Sequence, residues 1–315
     1  MDKLNIIEIP LYKYEIIEPL GTKYKFWFKD DDGQMKLFKE GRPNTGENWV
    51  EVVVAEICIL LDIPHATYKF AVWNNKKGTV TPSFIPLNHR LIHGNELLAK
   101  TYNLIDKSVS YPLEKNKDNK SYKIREYKLK LVLRIMEANF LKLPIGYQND
   151  KLKNPIDIFI GYIMLDCLIS NQDRHHENWS WIISPSKEIF LSPTYDHASG
   201  LGCRESDEEK TERLQTKDRG RMVEHFVRRA KTPFFDNGDR NLKTIEAFKL
   251  CAYSNKDIAI YWLEILEQLD INRVKKIFDT IPNALISDVS IEFAIKILEE
   301  NRKRLLELKK ELSDV

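Results

Sequence analysis

Membrane-spanning stretches and paired cysteines are missing from this chain. No apolar run approaches the ~18 residues that a helix needs to cross a bilayer, and the best candidate is interrupted by Asp157 and Asp166. Residues 1–5 lack the apolar core of a signal peptide. The four cysteines are scattered and form no Cys-x-x-Cys pair, so a reducing compartment suits them. We therefore expect a cytoplasmic protein with no membrane partner.

A dominant charge of one sign is absent as well. The 49 Lys and Arg residues nearly balance the 47 Asp and Glu residues, which leaves a net charge of +2. So small a charge creates no global field, and we predict no direct binding to nucleic acid. The composition is that of an ordinary soluble protein, 43% hydrophobic and 30% charged, and 315 residues are enough for two lobes.

The first hundred residues have the pattern of a small, mainly β lobe with one helix. Alternating apolar residues and polar turns, among them Asp31-Asp32-Gly33, mark the strands. Apolar residues at helical spacing mark the helix, which ends before Pro64. The predicted strands are residues 24–28, 35–39, 67–73 and 78–84, and the predicted helix is 49–61. We assign residues 1–88 to this N-terminal lobe.

The rest of the chain, residues 89–315, has the pattern of a larger and mainly helical lobe. The segment 106–126 is polar and lysine-rich, which predicts a loop or a poorly packed insertion. Apolar periodicity predicts helices at 128–141, 156–170, 243–254, 257–269, 272–280 and 290–311, with a short hairpin at 179–183 and 188–191. The fold class is therefore α+β with two lobes.

One short motif carries most of the functional information. Asp173 and Asn178 lie in a polar loop after an apolar run, and Asp196 follows after the predicted hairpin. Phosphoryl transfer needs this grouping: Asp173 would accept a hydroxyl proton, while Asn178 and Asp196 would hold magnesium. Arg174 would pair with a carboxylate and fix the loop. The alternative is a solvated polar loop with a capping Asp.

A metal hydrolase is the enzymatic alternative for the same stretch. Asp173, His175, His176, Asp196 and His197 carry side chains that ligate zinc or manganese. Adjacent histidines usually point in different directions, however, and the histidines of this stretch have no His-x-x-x-His spacing. The phosphoryl-transfer interpretation is favoured.

Phosphoryl transfer also requires a lysine on a strand and an acid on a helix that positions it. Lys39 ends a predicted strand, and Glu51 and Glu56 lie on the helix that follows. The turn Gly21-Thr22-Lys23 would lay backbone N–H groups over phosphates, although a plain turn explains it nearly as well. Farther along the chain lies a basic group, which consists of Arg228, Arg229 and Lys231. This group would bind an acidic or phosphate-bearing partner, or it is simply a solvated surface.

Together these residues resemble the HipA-like serine/threonine kinases, the toxins of some bacterial toxin–antitoxin modules. The resemblance covers most of the chain. It rests on Trp49-Val50-Glu51, on Leu60-Leu61-Asp62-Ile63-Pro64, on Asn171-x-Asp173-Arg174-His175-x-x-Asn178 and on Leu191-x-Pro193-x-Tyr195-Asp196. The central motif also recurs in phosphatidylinositol kinases.

The resemblance implies a two-lobed kinase-like fold, with ATP and Mg²⁺ as cofactors. It makes Asp173 the catalytic base and Asn178 and Asp196 the metal ligands. Gly21, Thr22, Lys23 and Glu51 are already part of the predicted ATP site. The resemblance adds the following residues to that site: Lys39, Pro82, Ser83, Phe84, His175 and Tyr195. The implied partners are a protein substrate, with aminoacyl-tRNA synthetases as known targets, and a small helix-turn-helix antitoxin.

Two departures from the family pattern stand out. We expect no counterpart of the extra N-terminal subdomain of the classical members, and the loop around Gly21 is shorter and offers only the hydroxyl of Thr22. The sequence thus predicts an ATP-dependent serine/threonine protein kinase of compact form. A non-catalytic ATP-binding module and a lipid or small-molecule kinase are the alternatives.

Overall fold

The structure is a computed structural model. It describes residues 4–19, 23–105, 107, 111–112, 124–236, 238 and 240–314. Gly21 and Thr22, and most of the segment 106–126, lie outside the described residues. Within the described part of the chain, no helix has the length and apolarity to cross a membrane.

A twisted, mainly antiparallel sheet forms the N-terminal lobe. Its strands are β1 (Ile7–Ile9), β2 (Ile16–Ile17), β3 (Lys25–Lys29), β4 (Met35–Glu40), β5 (Lys69–Trp73) and β6 (Lys76–Pro82), in the order β1-β5-β6-β4-β3-β2. Turn chemistry sets the two hairpins: Gly33 has φ 77° between β3 and β4, and Asn74 and Asn75 have φ 50° and 59° between β5 and β6. These hairpins confirm the sequence prediction.

Helix α1 (Glu47–Leu60) packs on this sheet and links it to the helical lobe. Its core face is rich in valine, which buries Val50, Val53 and Val54 completely. The Trp49 ring contacts the ring of Phe278 with centroids 6.2 Å apart. Helix α1 therefore belongs to a hydrophobic core that is continuous with that of the second lobe.

The second lobe is mainly helical. Its helices are α2 (Gly94–Ile105), α3 (Leu129–Met136), α4 (Pro155–Leu168), α5 (Asp207–Gln215), α6 (Val223–Arg229), α7 (Thr244–Ser254), α8 (Lys256–Glu267), α9 (Ile271–Asp279) and α10 (Asp288–Ser313). Helix α4 is buried along its whole length and contacts α7, α8 and α10. It is the centre of the lobe, as its uninterrupted apolar sequence predicts.

Two small sheets complete this lobe. The first consists of β7 (Arg90–His93), β8 (Leu141–Lys142), β9 (Ser180–Ile183) and β10 (Ile189–Leu191), in the order β7-β9-β10-β8; the second pairs β11 (Lys231–Phe235) with β12 (Asn241–Lys243). The predicted hairpin at 179–191 is confirmed as β9 and β10. The boundary at residue 88 stays a prediction.

The predicted helix 128–141 is wrong at its C-terminal end. Helix α3 stops at Met136, and Phe140, which was placed on the apolar face, is 60% exposed. The backbone of Leu141 instead pairs with Ile189 of β10. Tertiary pairing thus overrides the local periodicity. Short elements with little periodicity were not predicted, among them β1, β2, β7 and α2.

Candidate active site

A buried ion pair fixes the loop that follows α4. Arg174 is fully buried, and its Nε and Nη2 donate to the two carboxylate oxygens of Asp166 at 2.7 and 2.8 Å. Asn171 donates to the same carboxylate at 2.8 Å, and Arg174 Nη1 donates to the carbonyl of Asn178 at 2.7 Å. Asp166 is therefore the expected carboxylate partner of Arg174, and the pair ties both ends of the motif to helix α4.

Asp173 and Asn178 are joined within this loop. The Asn178 side-chain amide donates to the Asp173 carbonyl at 2.6 Å, and the Asp173 N–H donates to Asn171 at 3.2 Å. The Asp173 side chain is 34% exposed, while the loop around it is largely buried. The carboxylate of Asp173 is thus partly exposed, while Asn178, which is bonded to its backbone, is buried.

Asp196, which follows β10, has a strained backbone conformation. Its φ is 58°, the left-handed region that costs a non-glycine residue on the order of 1 kcal/mol. The Asp196 N–H donates to the hydroxyl of Tyr68 at 3.3 Å, and Lys39 Nζ donates to its carboxylate at 2.9 Å. Such strain at a charged residue is characteristic of functional sites.

Lys39 connects the two lobes. Its Nζ donates to Glu51 at 2.7 Å as well as to Asp196, which brings the strand β4, the helix α1 and the segment after β10 together. Burial opposes the charge of Lys39, but the carboxylates of Asp196 and Glu51 outweigh it, and the pKa of Lys39 is raised well above its ordinary value. Glu51, rather than Glu56, is the helix acid that contacts Lys39.

Three lysines act on the charge of Asp196. Burial would raise the pKa of the Asp196 carboxyl, yet the charges of Lys39, Lys23 and Lys25 hold that pKa well below its usual range. Lys23 also lies 3.3 Å from Glu47, and Lys25 sits directly across from Lys39 in the β3–β4 ladder. Burial, as the main cause, lowers the pKa of Lys25.

Sequence reasoning missed Lys25. The signal was available, because strand alternation puts Lys25 on the face opposite to the buried Phe26 and Phe28. Two lysines directly across a strand pair repel each other. Such a pair is tolerated where carboxylates, and an anionic ligand, offset the repulsion.

The segment after β6 contributes aromatic contacts to the cleft. Ser83 continues the ladder by donating its N–H to Met35 at 3.0 Å, directly after Pro82. The Phe84 ring stacks on Tyr195, with centroids 5.3 Å apart at 29°. The Tyr195 hydroxyl donates to the Glu177 carbonyl at 2.7 Å, and His175 Nδ1 accepts from the Glu177 N–H at 3.2 Å. The structure thus links the Phe84 ring to the loop that contains Asp173.

The histidines do not assemble a zinc site. His176 is buried against the Tyr111 hydroxyl at 2.7 Å, and burial, with the charge of His175, lowers its pKa to about 3. His197 is buried and contacts the Thr194 hydroxyl at 2.8 Å. Among the described residues, no group of three or more His, Cys, Asp and Glu side chains is arranged to bind a metal.

The basic residues after Asp196 divide into two sets. Arg228 and Arg229 are exposed at the end of α6, and Lys231 is exposed at the start of β11. Arg204, which sequence reasoning did not single out, lies at the candidate base itself, with Nη2 3.5 Å from Asp173 Oδ2.

Comparison with known proteins finds similarity to a curated protein kinase. No family model matches the chain. Over 153 residues it is 26% identical to the serine/threonine-protein kinase CtkA of Helicobacter pylori, and this match covers 48% of the chain and 44% of that relative. The aligned region therefore spans less than half of the curated relative.

Two solved structures are similar in fold. The crystal structure of the Helicobacter pylori proinflammatory kinase CtkA matches with a TM-score of 0.68 at 18% identity, over 96% of this chain and 99% of that one. HipA of Shewanella oneidensis, solved in a toxin–antitoxin complex with HipB and operator DNA, matches with a TM-score of 0.54 at 11% identity. This match covers 98% of the present chain and 70% of HipA. The two-lobed kinase-like fold is confirmed, and with it the resemblance to HipA-like kinases at the level of the fold.

Proposed function

We propose that this protein is an ATP- and magnesium-dependent protein kinase that phosphorylates serine or threonine. The proposal depends on the position of Lys39. This lysine donates hydrogen bonds both to Glu51 on α1 and to Asp196. Kinases hold nucleotide phosphates with a strand lysine that a helix acid positions. The similarity to CtkA and the kinase-like fold support the same reaction class.

The side chains around Asp196 fit a magnesium–nucleotide ligand. Magnesium prefers hard oxygen donors and is usually bound by one or two carboxylates together with substrate phosphates. The Asp196 carboxylate and the Asn178 amide oxygen supply such donors, and Lys23, Lys25 and Lys39 supply positive charge for the phosphates. The turn at Gly21 and Thr22 would cover them, while Pro82, Ser83, Phe84, His175 and Tyr195 would line the nucleoside side of the site.

In the proposed mechanism, each residue has one task. Asp173 would orient the acceptor hydroxyl and accept its proton as the bond from that oxygen to the γ-phosphorus forms, while the bond from this phosphorus to the β,γ-bridging oxygen breaks and ADP leaves. Asn178 and Asp196 would hold magnesium, which would supply positive charge to the phosphates. Lys39 would hold the phosphates, and Glu51 keeps Lys39 in place. Arg174 and Asp166 act at a distance by keeping the loop rigid.

The proposal extends to a toxin role and to two partners. The fold likeness to HipA, which is described in complex with HipB and operator DNA, favours a small DNA-binding antitoxin as a partner. An aminoacyl-tRNA synthetase as substrate rests on the family resemblance alone. A non-catalytic ATP-binding module is disfavoured because the residue types that transfer requires are all present. A lipid or small-molecule kinase remains the alternative for the acceptor.

The test compares the parent chain with Asp173→Asn and Asp196→Ala. Phosphate transfer from radiolabelled ATP to a degenerate peptide library with a central serine or threonine is the readout. We expect Asp173→Asn to lose transfer while it still binds ATP, and Asp196→Ala to weaken binding of magnesium–ATP in calorimetry. Labelling by Asp173→Asn at the parent rate would refute the proposed base. Labelling of lipids but not of peptides would favour the alternative acceptor.

A further inference from the structure

The candidate base already holds a hydroxyl group of its own chain. The Ser199 hydroxyl donates to Asp173 Oδ2 at 3.2 Å. Arg204 Nη2 donates to the same Ser199 oxygen at 2.6 Å and lies 3.5 Å from Asp173 Oδ2. Neither Ser199 nor Arg204 has a task in the mechanism above. The contact between a serine hydroxyl and the base carboxylate is the one that an acceptor makes before transfer.

The backbone fixes Ser199 in this position. After the left-handed residue Asp196 the chain turns, with Gly200 N–H donating to the His197 carbonyl at 3.0 Å and Leu201 N–H donating to Ile169 at 2.7 Å. Ser199 follows Asp196 by three residues, so their Cα atoms are at most about 11 Å apart. The hydroxyl is therefore held at the candidate base, on the segment that directly follows the proposed metal ligand Asp196.

We propose that Ser199 is phosphorylated by its own active site, in cis. This inference rests on the proposed function. The Ser199 oxygen forms a bond to the γ-phosphorus of ATP, the bond between that phosphorus and the β,γ-bridging oxygen breaks, and ADP leaves. The hydroxyl proton passes to the Asp173 carboxylate. No co-reactant other than magnesium–ATP is required.

Arg204 has a distinct part in this step. Its hydrogen bond engages one lone pair of the Ser199 oxygen and leaves the other for attack, while its charge stabilises the negative charge that develops. After transfer, the Arg204 guanidinium pairs with the new phosphate on Ser199, and the Asp173 carboxylate repels this phosphate. A phosphate at Ser199 would thus sit where a protein acceptor must approach, so that the modification slows the kinase toward other substrates.

The first experiment locates the phosphate. The parent chain, Ser199→Ala, Asp173→Asn and the control Ser254→Ala, at an exposed serine on α7, are incubated with magnesium–ATP and mapped by mass spectrometry. We expect phosphate at residue 199 in the parent and in Ser254→Ala, and none in Asp173→Asn. Peptide phosphorylation by the parent should slow with time as Ser199 is modified, while the progress curve of Ser199→Ala stays linear.

A second variant pair tests Arg204. Arg204→Met should slow labelling of Ser199 by about tenfold or more, because a charge-assisted hydrogen bond to the attacking oxygen is lost. Arg229→Met, at an exposed arginine on α6, should label Ser199 at the parent rate. Equal rates for the two variants would overturn the part assigned to Arg204.

A mixing experiment separates transfer in cis from transfer in trans. Active Ser199→Ala is mixed with Asp173→Asn, which retains Ser199 but lacks the base, and we expect no label on the latter. Label there would overturn transfer in cis. An unmodified Ser199 in a parent chain that phosphorylates peptides overturns this inference and leaves the proposed function intact. Absence of transfer to any acceptor, peptide or Ser199, overturns both.

Discussion

Glu51 holds Lys39 with one carboxylate oxygen and the backbone beyond Asp196 with the other. The Lys39 Nζ–Oε1 distance is 2.7 Å, and the His197 N–H donates to Oε2 at 3.2 Å. Because Glu51 lies on α1, the position of this helix determines both the strand lysine and the segment that carries the proposed metal ligand. A displacement of α1 would therefore disturb both Lys39 and the segment around Asp196.

Removal of the Glu51 charge should lower activity without unfolding the protein. In Glu51→Gln, Lys39 loses its partner on α1 and relaxes toward Asp196, so we expect kcat/KM for peptide phosphorylation to fall by at least about tenfold, through both ATP binding and turnover. Steady-state kinetics with varied ATP measure the effect. Glu56→Gln, on the same helix, is the matched control and should match the parent; equal losses in both variants would contradict the role given to Glu51.

Lys25 should contribute to nucleotide affinity. It faces Asp196 from β3 and lies across from Lys39, where a phosphate would offset the repulsion between the two lysines. We expect Lys25→Met to weaken ATP binding by roughly tenfold, equivalent to about 1.4 kcal/mol, in isothermal titration calorimetry.

The control for Lys25 lies on the same strand. Lys29 has an exposed side chain at the far end of β3, so Lys29→Met should bind ATP like the parent. Unchanged affinity in Lys25→Met, with the fold intact, would exclude Lys25 from the phosphate site.

Local signals made much of this architecture predictable, and the remainder depends on long-range contacts. Asp173, Asn178 and Asp196 stand out because their spacing is short and their residue types match one chemistry. Ser199 and Arg204 do not stand out in the sequence, because only the turn after Asp196 brings them into contact with Asp173.

The same distinction applies to secondary structure. The hairpins follow from their turn residues, and α4 follows from its apolar sequence. The end of α3 at Met136, by contrast, is set by pairing between Leu141 and Ile189, which no local pattern contains. Periodicity therefore finds helices more readily than it finds their limits when a distant strand competes for the backbone.

Loss of one partner of the buried pair Asp166–Arg174 should destabilise the fold strongly. Arg174→Met leaves the Asp166 carboxylate buried without its cation, and such a loss typically lowers the free energy of unfolding by about 3–5 kcal/mol. Urea denaturation followed by circular dichroism measures it. The double variant Asp166→Leu/Arg174→Met, which removes both charges, should be more stable than Arg174→Met. If the double variant is the less stable one, the charges themselves are not the source of the effect.

His176 should make the protein less stable in acid. Burial lowers the pKa of His176 from 6.5 to about 3, so between these values the unfolded chain binds a proton that the folded chain does not. The free energy of unfolding therefore falls as the pH falls, by up to about 1.4 kcal/mol for each pH unit in that window from this residue. The variant His176→Asn keeps a polar partner for Tyr111. Between pH 6.5 and 4, its free energy of unfolding should depend on pH less steeply than that of the parent, by roughly that slope. Urea denaturation at a series of pH values measures this difference. A parent-like slope in His176→Asn would show that other groups cause the acid sensitivity.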